Sequence, residues 1–177
     1  MIAQELFHRH SDYFKDGKIQ SLILVATTAA FGGRDDSFKQ AFLEARLKPL
    51  DDGLTMQQVA EAAIPAIVGR NTDPQITAAA IKSMTALPEE VYRQVLDCLV
   101  TYNRRQEWQS IDCPVCLVAG AEDTNSPAAT MKKMAGKLPQ AAYHELDATG
   151  HLVNLEQGKE FNQLTRDFIT HAATSVS

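Results

Sequence analysis

The chain has 177 residues, 45% of them hydrophobic and 22% charged, with a formal net charge of −5. This is the size and composition of one globular domain. It excludes collagen-like and low-complexity chains. There is no apolar run of about 18 residues to predict a membrane span and no basic stripe to predict a nucleic-acid partner. The three cysteines do not make a disulfide framework. The opening MIAQELFHRH lacks the basic and apolar regions of a secretory signal, so the expected location is the reducing cytoplasm.

In chain order, Ile2, Ala3, Leu6, Phe7 and His10 follow helical spacing from the first residues, with no N-cap ahead of them. The stretch 11–18 is polar and contains Asp16-Gly17, a turn signal. The run from Ile19 to Ala26 (IQSLILVA) predicts a strand buried on both faces, ended by residues 31–36.

A helical stretch follows over residues 37–108. Phe38, Phe42 and Ala45 begin it, and Pro49 is expected to stop the first helix. Thr55 reads as an N-cap for a helix carrying Met56, Val59, Ala63, Ile64 and Ile67, closed by Gly69. Asp73-Pro74 starts the next, with Ile76, Ala80, Ile81 and Met84 on its apolar face. Pro88 starts another, whose stripe is read as Val91, Val95, Leu99 and Tyr102.

The period then changes. Val115 to Ala119 (VCLVA) predicts a second buried strand, and Ser126-Pro127 starts a helix running to Leu138-Pro139. Ala141 to Leu146 predicts a third strand. A last helix covers 154–173, with Leu155, Phe161, Leu164 and Phe168 inward. Strands alternating with helices predict an α/β class with about three parallel strands, flanking helices and a helical insertion.

Parallel sheets bind ligands beyond the C-terminal ends of their strands. Glu122 and Asp123 follow the second strand, and His151 follows the third on the loop DATGH. Adjacent loops of this kind can bring an acid to a histidine, the orienting half of a nucleophilic triad. Asp123 is preferred over Glu122, because neighbouring residues leaving a strand point to opposite faces.

At these residues the chain resembles a known family. Asp112-Cys113-Pro114, Leu117-Val118-Ala119-Gly120, Glu122-Asp123, Pro127, Gly150-His151 and Asn154-Leu155-Glu156-Gln157 are similar to the C-terminal signature of the α/β-hydrolase superfamily. Tyr92-Arg93, Leu99 and the stretch 102–105 resemble its 3-oxoadipate enol-lactonase and haloperoxidase-like branch.

The resemblance implies that Asp123 is the triad acid and His151 the base, acting on a small ester or lactone, with no cofactor or metal. It implies a partial hydrolase core over 1–33 and 109–177 and a lid over 34–108. In the family the nucleophile elbow G-x-S-x-G-G runs into a helix reading like residues 1–6. The chain is therefore expected to begin just after the elbow. None of its eight serines lies in a G-x-S-x-G.

Two consequences are expected. The chain alone lacks the nucleophile and oxyanion hole and is inactive. It also carries an unpaired apolar strand, Ile19 to Ala26, through which copies self-associate as a non-catalytic assembly or binding unit. Cofactor-free oxygenase chemistry, needing only the acid–histidine pair, is a further alternative that no residue favours. His8 and His10 sit on opposite sides of a helix, His144 lies inside a strand, and His171 lies near the chain's end. Cys113 and Cys116 open a buried strand and read as packing.

Overall fold

A computed structural model describes residues 1–17, 19–32 and 36–174. Lys18 and residues 33–35, parts of the predicted turn and strand stop, lie outside the described residues, as do 175–177. In chain order the elements are α1 (Ile2–Arg9), α2 (Ser11–Lys15), β1 (Leu22–Val25), α3 (Asp36–Asp51), α4 (Met56–Ala63), α5 (Pro74–Thr85) and α6 (Glu89–Thr101). A 3-10 turn (Trp108–Ser110) leads to β2 (Val115–Gly120), α7 (Ala128–Ala135), β3 (Ala141–Leu146), α8 (Val153–Glu156) and α9 (Gly158–Thr174).

These residues form two compact units. One comprises Met1–Ala29, Val68–Thr72 and Arg104–Ser177, and the other Ala30–Ile67 and Asp73–Asn103.

The first unit is built on a parallel sheet in the order β1-β2-β3. Leu22 lies opposite Val115, and Val115 opposite Ala141. All six residues of β2 are buried, because it is the middle strand and both its faces are covered. Val115, Leu117 and Ala119 pack with Phe7, Trp108 and Met131 on one face. Cys116 and Val118 pack with Val153, Phe161, Leu164 and Phe168 on the other. The Trp108 indole N–H donates to the Met134 carbonyl at 2.9 Å, so this large buried ring leaves no polar atom unpaired.

The second unit is helical. Leu50, Val59, Tyr92 and Leu96 form its core, with Phe42, Leu47, Met56 and Met84 packed against them. Thr55 and Gln58 form a reciprocal capping box at the start of α4. The Asp73 side chain accepts from the Gln75 N–H at the start of α5, with Pro74 next.

Several expectations need correction. The strand expected from Ile19 to Ala26 is only Leu22–Val25, since Ala26 turns to a left-handed φ of 41°. Its burial alternates, Leu22 and Leu24 buried and Ile23 and Val25 half-buried. The polar stretch after α1 contains the short helix α2 rather than only a turn. In α1 the buried side chains are Gln4 and Phe7, whereas Ile2 is 89% exposed. Gln4 replaces an apolar residue there because its amide donates to the Thr28 carbonyl at 3.2 Å.

Pro49 does not stop α3. It sits in the last turn, and the helix closes through Asp52 N–H to Lys48 and Gly53 N–H to Leu50, with Gly53 left-handed at φ 91°. Further on, α4 ends at Ala63 before Pro65 rather than at Gly69, and α7 ends at Ala135 rather than at Leu138. The buried stripe of α6 is Tyr92, Leu96 and Val100, while Val95 is 52% exposed. Leu155, expected inward, is also exposed.

One ion pair within the first unit has a pH signature. Arg104 grips Glu5 with two hydrogen bonds, Nε to Oε2 at 2.8 Å and a terminal nitrogen to Oε1 at 2.7 Å. With Arg9 adding to it, this pulls the Glu5 carboxyl down from 4.5 to about 2. The folded value lies below the unfolded one. The pair therefore contributes stability above about pH 4.5 and loses it as pH falls toward 2. Both groups are partly exposed, so the contribution is small. Glu5→Gln should lower the unfolding midpoint at neutral pH, with the gap from wild type narrowing below about pH 4.5 and closing only as pH falls through about 2. A gap that stays constant down to that pH would rule the linkage out.

Candidate active site

The ends of β2 and β3 are laced together. Past Gly120, the Ala121 N–H donates to the Leu146 carbonyl at 2.9 Å and the Glu122 N–H to the Thr149 carbonyl at 2.8 Å. Asp123 follows. Its Oδ1 accepts the backbone N–H of Asn125 at 2.8 Å and of Ser126 at 2.9 Å, a local turn that fixes the carboxylate. Its Oδ2 lies 2.8 Å from His151 Nδ1. The Asp123 side chain is fully buried, and the His151 side chain is 29% exposed.

Burial by itself pushes the Asp123 carboxyl up. The hydrogen bonds from His151, Ser126 and Asn125 outweigh that, and the net value falls below the ordinary range. Asp123 is therefore ionised at neutral pH and only accepts hydrogen bonds. A carboxylate that only accepts requires a proton on His151 Nδ1, so in the neutral form of the ring the lone pair is on Nε2. A partly exposed imidazole held in this tautomer by a buried carboxylate has the chemistry to take a proton at Nε2.

The approach of the two loops depends on glycine. A Cβ at Gly120 would lie 2.1 Å from the Gly150 carbonyl oxygen, and one at Gly69 would lie 2.3 Å from that of Ala148. Ala148 itself adopts a left-handed φ of 51° where β3 turns toward His151.

Of the residues singled out in the sequence, Asp123 and His151 are brought into hydrogen-bonding distance. Glu122 instead accepts the Arg70 N–H at 2.8 Å and pairs with the Arg70 guanidinium. Burial pushes the Cys113 and Cys116 thiols up to about 11, so neither is a thiolate at neutral pH. Among the described residues no group of three or more His, Cys, Asp or Glu side chains is gathered to hold a metal ion, and no helix is long and apolar enough to cross a membrane.

Sequence reasoning missed the supports of the pair. The sequence offers Glu156 only as part of a motif and Gly69 only as a helix stop, and it singles out neither Arg70 nor Thr72. Three of the four donors to Glu156, and one of the donors to Glu122, are backbone N–H groups, which leave no trace in residue type.

No family model matches the sequence, and no curated protein matches it. Solved structures do. The enol-lactonase from Burkholderia xenovorans LB400 superposes with a TM-score of 0.79 at 22% identity, covering 95% of this chain and 61% of its own. BpoC from Mycobacterium tuberculosis H37Rv, provisionally named a non-heme bromoperoxidase, gives 0.76 at 25%, covering 97% and 63%. A malate-bound thermophilic esterase from Thermogutta terrifontis gives 0.72 at 20%, covering 86% and 56%. The chain thus spans about three-fifths of the length of the solved structures it matches.

Proposed function

Because this chain is a structural relative of the α/β-hydrolase superfamily and carries part of that fold, we propose that it is the acid–histidine portion of a hydrolase acting on a small ester or lactone. In the full-length form a serine supplied from outside residues 1–177 attacks the carbonyl. His151 Nε2 takes the hydroxyl proton, passes it to the leaving group and then activates water. Asp123 holds the imidazole in the productive tautomer and stabilises the imidazolium. The helical insertion 34–108 serves as a lid that selects a compact, fairly apolar substrate. No cofactor enters this chemistry.

The observation that carries the reading is the 2.8 Å contact of His151 with a buried carboxylate at the end of the neighbouring strand. Residues 1–177 alone contain no nucleophile elbow and are inactive in this reading. Purified 1–177 should hydrolyse p-nitrophenyl acetate no faster than its His151→Ala variant. Turnover well above buffer that His151→Ala abolishes would overturn the proposed inactivity.

A second reading is a non-catalytic assembly unit. What favours it is that β1 lies at an edge of the sheet with an apolar sequence, LILV, a template for another strand. Sedimentation should then show self-association that weakens when Ile23 is replaced by lysine. A monodisperse monomer at high concentration would exclude it.

A further inference from the structure

The carboxylate of Glu156 takes four hydrogen bonds. Its Oε2 accepts from the Gly69 N–H at 2.7 Å, the Thr72 hydroxyl at 2.7 Å and the Gly150 N–H at 2.9 Å. Its Oε1 accepts from the Leu152 N–H at 2.9 Å. An ionised carboxylate offers about four acceptor positions, so the group is saturated.

Two of the four donors, Gly150 and Leu152, flank His151 on either side. One side chain therefore pins the backbone both before and after the histidine, which fixes where its Cβ points. The other two donors come from a segment more than eighty residues away in sequence. That segment, residues 69–72, is pressed onto the same loop, where Gly69 meets the Ala148 carbonyl. Its next residue, Arg70, is held by Glu122, the neighbour of Asp123. Residues 69–72 thus form a strap across both loops, with Gly69 and Thr72 at its two ends bonded to Glu156 and Arg70 between them bonded to Glu122 of the acid loop.

We infer that Glu156 is a positioning residue for His151, which sets the angle at which the imidazole meets Asp123 by bonding the backbone on both sides of it, with the strap 69–72 as its second anchor. This rests on reading His151 as the base. Glutamine at 156 keeps the shape but has one acceptor oxygen and one donor NH2. Whichever way the amide turns, its NH2 faces either the Leu152 N–H or the three donors now on Oε2. A group that merely stabilises the fold would lower the melting temperature without touching the imidazole. A positioning group changes the imidazole itself.

The test is nitrogen-15 NMR of the 177-residue protein. Wild type should show His151 in a single tautomer with a slowly exchanging Nδ1–H. Glu156→Gln should raise exchange of that proton and of the Gly150 and Leu152 amides at least about tenfold, the loss of a charge-assisted bond. Thr72→Val removes only the hydroxyl of the strap and should leave the His151 signal in place. An unchanged Nδ1–H in folded Glu156→Gln overturns the positioning role alone. Absence of the Nδ1–H in wild type overturns both that role and the reading of His151 as the base. Should Glu156→Gln not fold, wild-type exchange decides: a His151 Nδ1–H that exchanges together with the Gly150 and Leu152 amides supports the role, and one that exchanges independently of them overturns it.

Discussion

Alanine at Gly120 should destabilise the protein by about 3 kcal/mol or more, at the upper end of what overpacking a core costs. The added methyl would lie 2.1 Å from the Gly150 oxygen and 2.5 Å from the Thr149 oxygen, and both obstacles are backbone. Neither can swing aside as a long side chain would. The loop bearing His151 must move, and the Glu122 N–H bond to Thr149 at 2.8 Å is strained with it. For a chain of this size the loss corresponds to a fall of roughly 6–12 °C in melting temperature. It should be accompanied by weakening of the His151–Asp123 contact. Calorimetry of Gly120→Ala checks the first part. A melting temperature within about 1 °C of wild type would show that the strand end is looser than these distances require.

Asparagine at Asp123 should leave the fold in place and invert the imidazole. The Asn side-chain oxygen can still accept the Asn125 and Ser126 N–H groups that Asp123 Oδ1 takes now. The new NH2 would face His151 Nδ1, at the position where a carboxylate oxygen now sits 2.8 Å away. A donor there requires Nδ1 to accept, so the ring proton moves to Nε2 and the outward lone pair is lost. The stability cost should be about 1.5–3 kcal/mol, the range for hydrogen bonds to a charged group. In a form of the protein that supplies a nucleophile, a wrong tautomer should lower kcat by roughly 10⁴-fold, as it does in serine-protease triads. Nitrogen-15 spectra of Asp123→Asn report the tautomer directly. A proton that stays on Nδ1 would mean that Asp123 does not set it.

The sheet was legible because its strands are short apolar runs, and the buried VCLVA of β2 needs cover on both faces. Asp123 and His151 were legible because strand ends in a parallel sheet are where side chains converge. The face of α6 was not legible. Val91 and Val95 form one stripe at helical spacing, and Tyr92, Leu96 and Val100 form another beside it. Periodicity permits either, and only the core of Leu50, Val59 and their neighbours selects the second. The ends of β1 and α3 were misplaced for backbone reasons. Ala26 leaves the strand through a left-handed φ, and Pro49 falls late enough in α3 that the helix closes around it. The support of His151 by Glu156 was out of reach for a different reason. Three of the four donors to that carboxylate are main-chain N–H groups, which every residue but proline carries.

The proposed function turns on whether hydrolysis needs a nucleophile that residues 1–177 do not contain. Treating the purified 177-residue chain with a fluorophosphonate and weighing it intact tests this most directly. The mass should be unchanged, because the oriented Asp123–His151 pair has no elbow serine to activate. A single adduct on one of its serines, lost in His151→Ala, would contradict the reading.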